Sequence, residues 1–279
     1  MKIAVLSGKG GTGKTLVAVN LAAAALKSTY LDCDVEAPNG HLFFKPDQLT
    51  ESEVTVKIPY VDDLKCNGCR KCVESCNFNA LAYIHNRLMV FEDICHSCGG
   101  CLLVCPEHAL HEKDKSIGKI QIGFSGHVEM KSGSLNIGES TGVPVIKTLL
   151  EMSGNRDELT IIDGPPGSAC TVMETIKDVD YCILVAEPTT FGVHNLEMVH
   201  ELVRLFGKRF GVVLNKCTEG DNPSENYCTD HKIKILSKIP FDETLGRLNS
   251  NGEIAVRVNG DYAKLFGELL KTVEMEGFK

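Results

Sequence analysis

Eight cysteines fall into two strings of identical spacing, Cys66-x2-Cys69-x2-Cys72-x3-Cys76 and Cys95-x2-Cys98-x2-Cys101-x3-Cys105, the second followed by Pro106. Thiolates are the soft ligands that iron–sulfur clusters require, four to each [4Fe–4S] cube, and the first three cysteines of a string lie close enough to wrap one. Where two clusters share a fold with this spacing, the fourth cysteine ligates the other cluster. That crossing assigns Cys66, Cys69, Cys72 and Cys105 to one cluster, and Cys95, Cys98, Cys101 and Cys76 to the second. Zinc also uses paired C-x2-C, but one zinc ion takes four ligands, and a doubled four-cysteine string is better explained by clusters. Asn77 stands where the second string has Pro106, a change that bears on the shape of the turn.

A phosphate-binding signature opens the same chain. Gly8-Lys9-Gly10-Gly11-Thr12-Gly13-Lys14-Thr15 satisfies G-x4-G-K-T and lies between an apolar run and a helical one, the context this motif requires. Its glycines let successive backbone N–H groups turn toward phosphate oxygens, with a helix N-terminus behind them. Lys14 is placed to reach the β- and γ-phosphates, and the Thr15 hydroxyl to ligate Mg²⁺.

The elements that must position these groups are legible as apolar runs. Residues 2–6 predict a buried parallel strand, Thr29–Asp32 a second, and Leu159–Ile162, Tyr181–Val185 and Phe210–Leu214 three more. Helical patterns lie between them, notably His194–Phe206, where Leu196, Val199, Leu202, Val203 and Phe206 recur at helical spacing. Strands alternating with helices predict an α/β fold with a doubly wound, mostly parallel sheet. From about Tyr60 to Lys113 the rhythm stops and cysteine density jumps. A small α+β module of the bacterial-ferredoxin kind fits there, dividing the chain into residues 1–59, an insert at 60–113, and residues 114–279.

The bulk properties narrow the function classes. The chain has 279 residues, 43% hydrophobic and 24% charged, enough for one large domain and a small one. No apolar run approaches the roughly 20 residues of a membrane span, and the N-terminus has no cleavage-site pattern, so the expectation is a cytoplasmic protein. Thirteen cysteines in a reducing compartment then read as metal ligands rather than disulfides. A net charge of −8 argues against nucleic acid as a partner. The last helical stretch, Asp261–Glu274, mixes Lys264, Glu268, Lys271 and Glu274 on its polar face, which argues against a basic membrane-surface helix.

With Lys9 before the second glycine, the signature has the deviant Walker A form and resembles that of the MinD/ParA/Mrp superfamily of P-loop ATPases. Asp32-Cys33-Asp34-x4-Asn39 is similar to the family's switch I, and Leu159–Asp163 with Gly164-Pro165-Pro166-Gly167 to its Walker B strand and switch II. Val212–Lys216 and Ile239–Asp242 resemble its adenine-contacting segments, bringing in Asn215, Pro240 and Asp242. The resemblance covers nearly everything outside the cysteine-rich stretch. It implies that Asp34 orients or polarises the attacking water and that Asp163 holds the Mg²⁺ shell. It also implies that two subunits, identical or similar, enclose two ATP molecules while Lys9 reaches the partner's phosphates. Asp34 read without the family is a turn carboxylate.

Cys170 lies seven residues after Asp163, within the switch II segment. The nitrogenase iron protein, a distant relative by this resemblance, places a cluster ligand at that offset, so Cys170 is either a bridging ligand across a dimer axis or an ordinary packed thiol. Cys182, inside an apolar run, reads as a small buried hydrophobe. The combined expectation is an ATP-hydrolysing protein binding ATP/ADP, Mg²⁺ and two [4Fe–4S] clusters. It would work as an ATP-dependent dimer on a redox or metallocluster client. A spatial organiser that positions cargo on a membrane or nucleoid is the alternative.

Overall fold

The computed structural model describes residues 1–153 and 158–277. Eleven strands occur among these residues: β1 (Lys2–Leu6), β2 (Ser28–Asp32), β3 (Leu49–Val61), β4 (Leu81–Ile84), β5 (Arg87–Val90), β6 (Leu110–Ser125), β7 (Val128–Leu135), β8 (Leu159–Asp163), β9 (Tyr181–Ala186), β10 (Arg209–Cys217) and β11 (Ile235–Pro240). Nine form one sheet in the order β11-β10-β9-β1-β8-β2-β7-β6-β3. Neighbours from β11 to β7 pair in parallel, whereas β6 is antiparallel to both β7 and β3.

The central strands are apolar on both faces because helices cover both. Ile3 and Val5 of β1 point into a core shared with the helix Lys14–Ala24 and the last helix, Gly260–Gly277, while Ala4 and Leu6 point into one shared with the helices Val143–Glu151, Cys170–Ile176 and Thr190–Leu205. Tyr181, Ile183 and Val185 of β9 alternate with Cys182, Leu184 and Ala186 in the same way. A doubly wound sheet requires this double burial. Truncating a wholly buried Ile3 or Leu6 to Ala would cost about 2–5 kcal/mol.

The five strands expected from apolar runs are all present. The sheet continues beyond them through β11 at one end and β7, β6 and β3 at the other. β3 and β6 escape an apolar-run reading because one or both faces are wet, and β7 because the buried Lys131, Ser132 and Gly133 interrupt it. Glu51, Glu53 and Lys57 of β3 are exposed, and so are Glu112, Lys113 and Asp114 of β6. β3 and β6 pair along their whole length, from Leu49↔Gly123 to Val61↔Leu110. The chain between Val61 and Leu110 carries all eight string cysteines and leaves from the far end of this hairpin, where the Asp62 N–H donates to the Ala109 carbonyl at 2.8 Å. Residues 60–61 and 110–113 are thus strand residues of the main sheet. The cysteine-bearing segment has its own two-stranded sheet, β4–β5, and a small core of Cys72, Leu81, Leu88 and Leu110.

Candidate functional site

β1 lies mid-sheet between β8 and β9, and the loops leaving the carboxyl ends of β1, β2 and β8 meet there. The Cys33 N–H donates to the Asp163 carbonyl at 2.9 Å, Gly164 to the Val5 carbonyl at 3.1 Å, and Gly167 to the Ser7 carbonyl at 3.0 Å. Open α/β sheets bind ligands at such carboxyl ends. Gly8–Thr15 passes from β1 into the helix that starts at Lys14. Gly13 turns that corner at φ 96°, in left-handed space, and a Cβ there would strike the Asn215 side chain. No other residue fits the position without strain.

Inside the loop the charges are paired. The Lys14 ammonium donates to Asp163 Oδ1 at 2.7 Å and lies 3.8 Å from Asp34 Oδ2. Thr15 Oγ1 donates to Asp163 Oδ2 at 2.7 Å, and so does the Tyr30 hydroxyl at 3.0 Å. Asp163 and Tyr30 are wholly buried. Asp32, also buried, accepts from the backbone N–H groups of Asn39 (2.9 Å) and Gly40 (2.7 Å), fixing the segment that contains Asp34. Burial opposes the charge on Lys14, but Asp163 outweighs it and the ammonium's pKa stands above its ordinary value. Burial and then the neighbouring Asp163 push the Asp32 carboxyl up to about 7. Burial also raises Asp34, against the pull of Lys14.

Asn215 is bonded to the phosphate loop, whereas Pro240 lies at the end of β11 and Asp242 just beyond it. Asn215, at the end of β10, donates from Nδ2 to the Thr12 carbonyl at 2.7 Å. Pro240 ends β11 opposite Cys217. Asp242 caps the helix Glu243–Ser250, accepting from Thr244 and Leu245, and takes the Tyr262 hydroxyl at 2.6 Å. Lys9 turns aside to Glu187, 2.7 Å away. Cys170 is exposed at the start of the helix Cys170–Ile176, and Cys182 is buried. Tyr30, Glu187 and Lys216 were not singled out as site residues. Their signal is positional: Glu187 follows directly on β9 and Lys216 lies near the end of β10, at the edge where the phosphate loop emerges.

The cysteine-rich segment repeats its own backbone at an offset of 29 residues (Cys66 to Cys95). Gly68 and Ser97, Arg70 and Gly99, and Asn79 and His108 are matched pairs, all with positive φ. The helix Lys71–Glu74 recurs as Gly100–Leu103. The Ala80 N–H donates to Cys76 Sγ at 3.3 Å, and the Ala109 N–H to Cys105 Sγ at 3.3 Å. Two cavities result. One is lined by Cys66, Cys69, Cys72 and Cys105, with Tyr83 and Leu110 in its wall. The other is lined by Cys76, Cys95, Cys98 and Cys101, with Phe78 and Leu81. Among the described residues, no group of three or more His, Cys, Asp or Glu side chains is arranged to hold a single metal ion.

The donor sets fit the groups expected of them. Mg²⁺ takes oxygen ligands, and Thr15 with Asp163 offers a hydroxyl and a carboxylate directly behind the phosphate loop. Thr12 Oγ1, buried without a partner, is a further polar atom at that loop. Each cysteine-lined cavity offers four soft donors around a space rather than a point.

Comparison with known proteins agrees with the fold and the phosphate loop. The chain is 33% identical over 278 residues to the uncharacterized protein MJ0578 of Methanocaldococcus jannaschii, covering 98% of this chain and 96% of that one. A stretch of 42 residues is 62% identical to the iron-sulfur cluster carrier protein of Pyrococcus horikoshii, 14% of each chain. The fold is similar to that of the septum site-determining protein MinD of Pyrococcus horikoshii, complexed with Mg-ADP, with a TM-score of 0.62 and 18% identity over 98% of this chain and 96% of that one. The family described as the CobQ/CobB/MinD/ParA nucleotide binding domain matches residues 3–256. This chain belongs to that family of P-loop nucleotide-binding proteins.

Proposed function

We propose that the chain is an ATP-hydrolysing iron–sulfur protein. It dimerises on ATP and couples nucleotide state to electron transfer, or to metallocluster assembly, on a client protein. The observation that carries this reading is the division of eight cysteines between two cavities in the crossed pattern, each string lending its fourth cysteine to the other string's set. A single zinc ion takes four ligands, whereas eight cysteines divide here into two sets of four. Residues 62–109 act as an inserted two-cluster unit of the ferredoxin kind, and the main sheet and its helices on either side of them as the ATPase.

In the nucleotide site, Lys14 exchanges Asp163 for the β- and γ-phosphates, and Thr15 with Asp163 holds the metal. Bound Mg²⁺ supplies charge neutralisation as the terminal phosphoryl group transfers to water. Asp34, fixed near Lys14, orients the attacking water. Lys9 of one subunit stabilises the charge developing on the other's nucleotide. The clusters supply one-electron chemistry when bound, and the chain's N–H···S bonds at Cys76 and Cys105 tune it.

The test is anaerobic purification with iron and sulfide analysis, then spectra with ADP and with a non-hydrolysable ATP analogue. About eight iron and eight sulfide per chain, with spectra that respond to nucleotide, is the expected result. Zinc without sulfide would overturn the cluster reading. ATP-dependent sedimentation with vesicles or DNA would favour a spatial organiser. Among the described residues no helix is long and apolar enough to cross a membrane.

A further inference from the structure

Beside the phosphate loop stands Glu187, a group no motif contains. Its carboxylate receives Lys9 on one oxygen at 2.7 Å and Lys216 on the other at 2.6 Å. Lys216 also donates to the Gly11 carbonyl at 2.9 Å, and it reaches there from a left-handed backbone, φ 57°. The Glu187 carbonyl accepts from Ser224 Oγ at 2.6 Å and from the Thr189 N–H at 2.8 Å, so the residue is anchored. Its side chain is 13% exposed, against 32% for Lys9. The Lys9 ammonium also lies 5.1 Å from the centre of the exposed Phe191 ring. The lysine expected to serve the partner's nucleotide thus lies on its own chain, held by charge and an aromatic face.

We infer that Glu187 is a positioning residue that parks Lys9 in the nucleotide-free monomer and releases it when two ATP-loaded copies meet. This rests on the trans role proposed for Lys9. A carboxylate this sheltered would not readily give up its only cation, because the unpaired charge would remain partly out of water. With two lysines, one can leave while Lys216 stays. Burial opposes the charge on Glu187, but Lys216 and Lys9 hold its carboxyl below the usual carboxylate range, consistent with both contacts. The parked contact competes with the partner's phosphates, so Glu187 sets the ATP concentration at which the dimer closes.

Two substitutions then act in opposite directions. Glu187→Gln removes the charge that retains Lys9 and lowers the threshold. Lys216→Met leaves Lys9 as the carboxylate's sole partner and raises it. A residue that merely supports the fold would give the same direction in both. The experiment follows the dimer fraction of the cluster-loaded chain by light scattering as a non-hydrolysable ATP analogue is added. ADP affinity is measured in parallel, because Lys216 also touches the phosphate loop.

Relative to ADP affinity, the midpoint should fall about tenfold in Glu187→Gln and rise several-fold in Lys216→Met, the scale of one ion pair lost in each subunit. Glu187→Asp, which keeps the charge, should stay near wild type. Should Glu187→Gln fail to fold, the rise in Lys216→Met is decisive alone. Shifts in one direction, or a Glu187→Gln midpoint within about twofold of wild type, would overturn the parking role while leaving the dimer reading intact. A wild-type chain that stays monomeric at saturating analogue would overturn the trans-lysine reading, and the parking role with it.

Discussion

The Lys14 ammonium lies 2.7 Å from Asp163 Oδ1, so the residue that should grip phosphate is held by the residue that should hold metal. Both are buried, and Thr15 and Tyr30 occupy the other Asp163 oxygen. Under the proposed roles, nucleotide and metal should therefore enter together, phosphate taking the ammonium and the cation the carboxylate it leaves. Neither buried charge is stranded during the exchange, which matters because an unpaired buried ion costs several kcal/mol.

The two lysines of the loop should fail differently. Lys14→Ala leaves Asp163 buried without its cation and should weaken nucleotide binding itself, seen as lost ADP affinity by calorimetry. Lys9→Ala should bind ATP but hydrolyse it on the order of 10²-fold more slowly or worse, since charge stabilisation in the transition state is what it removes. Equal turnover in the Lys9 variant would end the trans-lysine assignment.

Asp34→Ala keeps Lys14, Thr15 and Asp163 in place and loses the carboxylate 3.8 Å from the ammonium. It should accumulate as an ATP-bound dimer, visible by size-exclusion chromatography with scattering detection. Hydrolysis at the wild-type rate would show that Asp34 is only a turn residue.

Crossed ligation makes a prediction that string-by-string ligation does not. Cys66→Ser and Cys105→Ser, in different strings, should perturb the same EPR signal. Cys76→Ser should perturb the signal that Cys95→Ser perturbs. If instead Cys66 and Cys76 pair in effect, each string holds its own cluster.

Cys170 is exposed seven residues beyond Asp163, on a segment that should follow the nucleotide. Comparing iron content and EPR spectra of wild type and Cys170→Ser, as ADP-bound and ATP-trapped samples, decides its role. A bridging ligand predicts a difference confined to the trapped state. Identical spectra in both states would leave it a surface thiol.

The centre of the fold was legible because β1, β2, β8, β9 and β10 are largely buried on both faces, and in β1, β9 and the middle of β10 that burial leaves an unbroken apolar run. β3 and β6 were not, because Glu51, Lys57, Glu112 and Lys113 face water and a half-wet strand of this composition resembles a loop. The phosphate loop and the cysteine strings were legible for a different reason: their chemistry requires fixed residue types at fixed separations. Tyr30, Glu187 and Lys216 act through geometry that only folding creates. A lone tyrosine, glutamate or lysine at a strand end carries no spacing to read: Tyr30 of β2 meets Asp163 of β8, and Glu187 after β9 meets Lys216 near the end of β10.

The outermost strand has a consequence for how the chain behaves in bulk. β3, thirteen residues long, turns the backbone groups that face away from β6 to the rim of the sheet, the kind of edge on which a second molecule can add a strand. Glu51, Glu53 and Lys57 line that rim with charge, and Pro59 removes an amide donor from it. Two such rims brought together would have to bury these charges against one another and would leave a gap in the hydrogen-bond ladder at Pro59. The chain should remain free of fibres and sheet-linked polymers at high concentration, even while its nucleotide face is free to find a second copy.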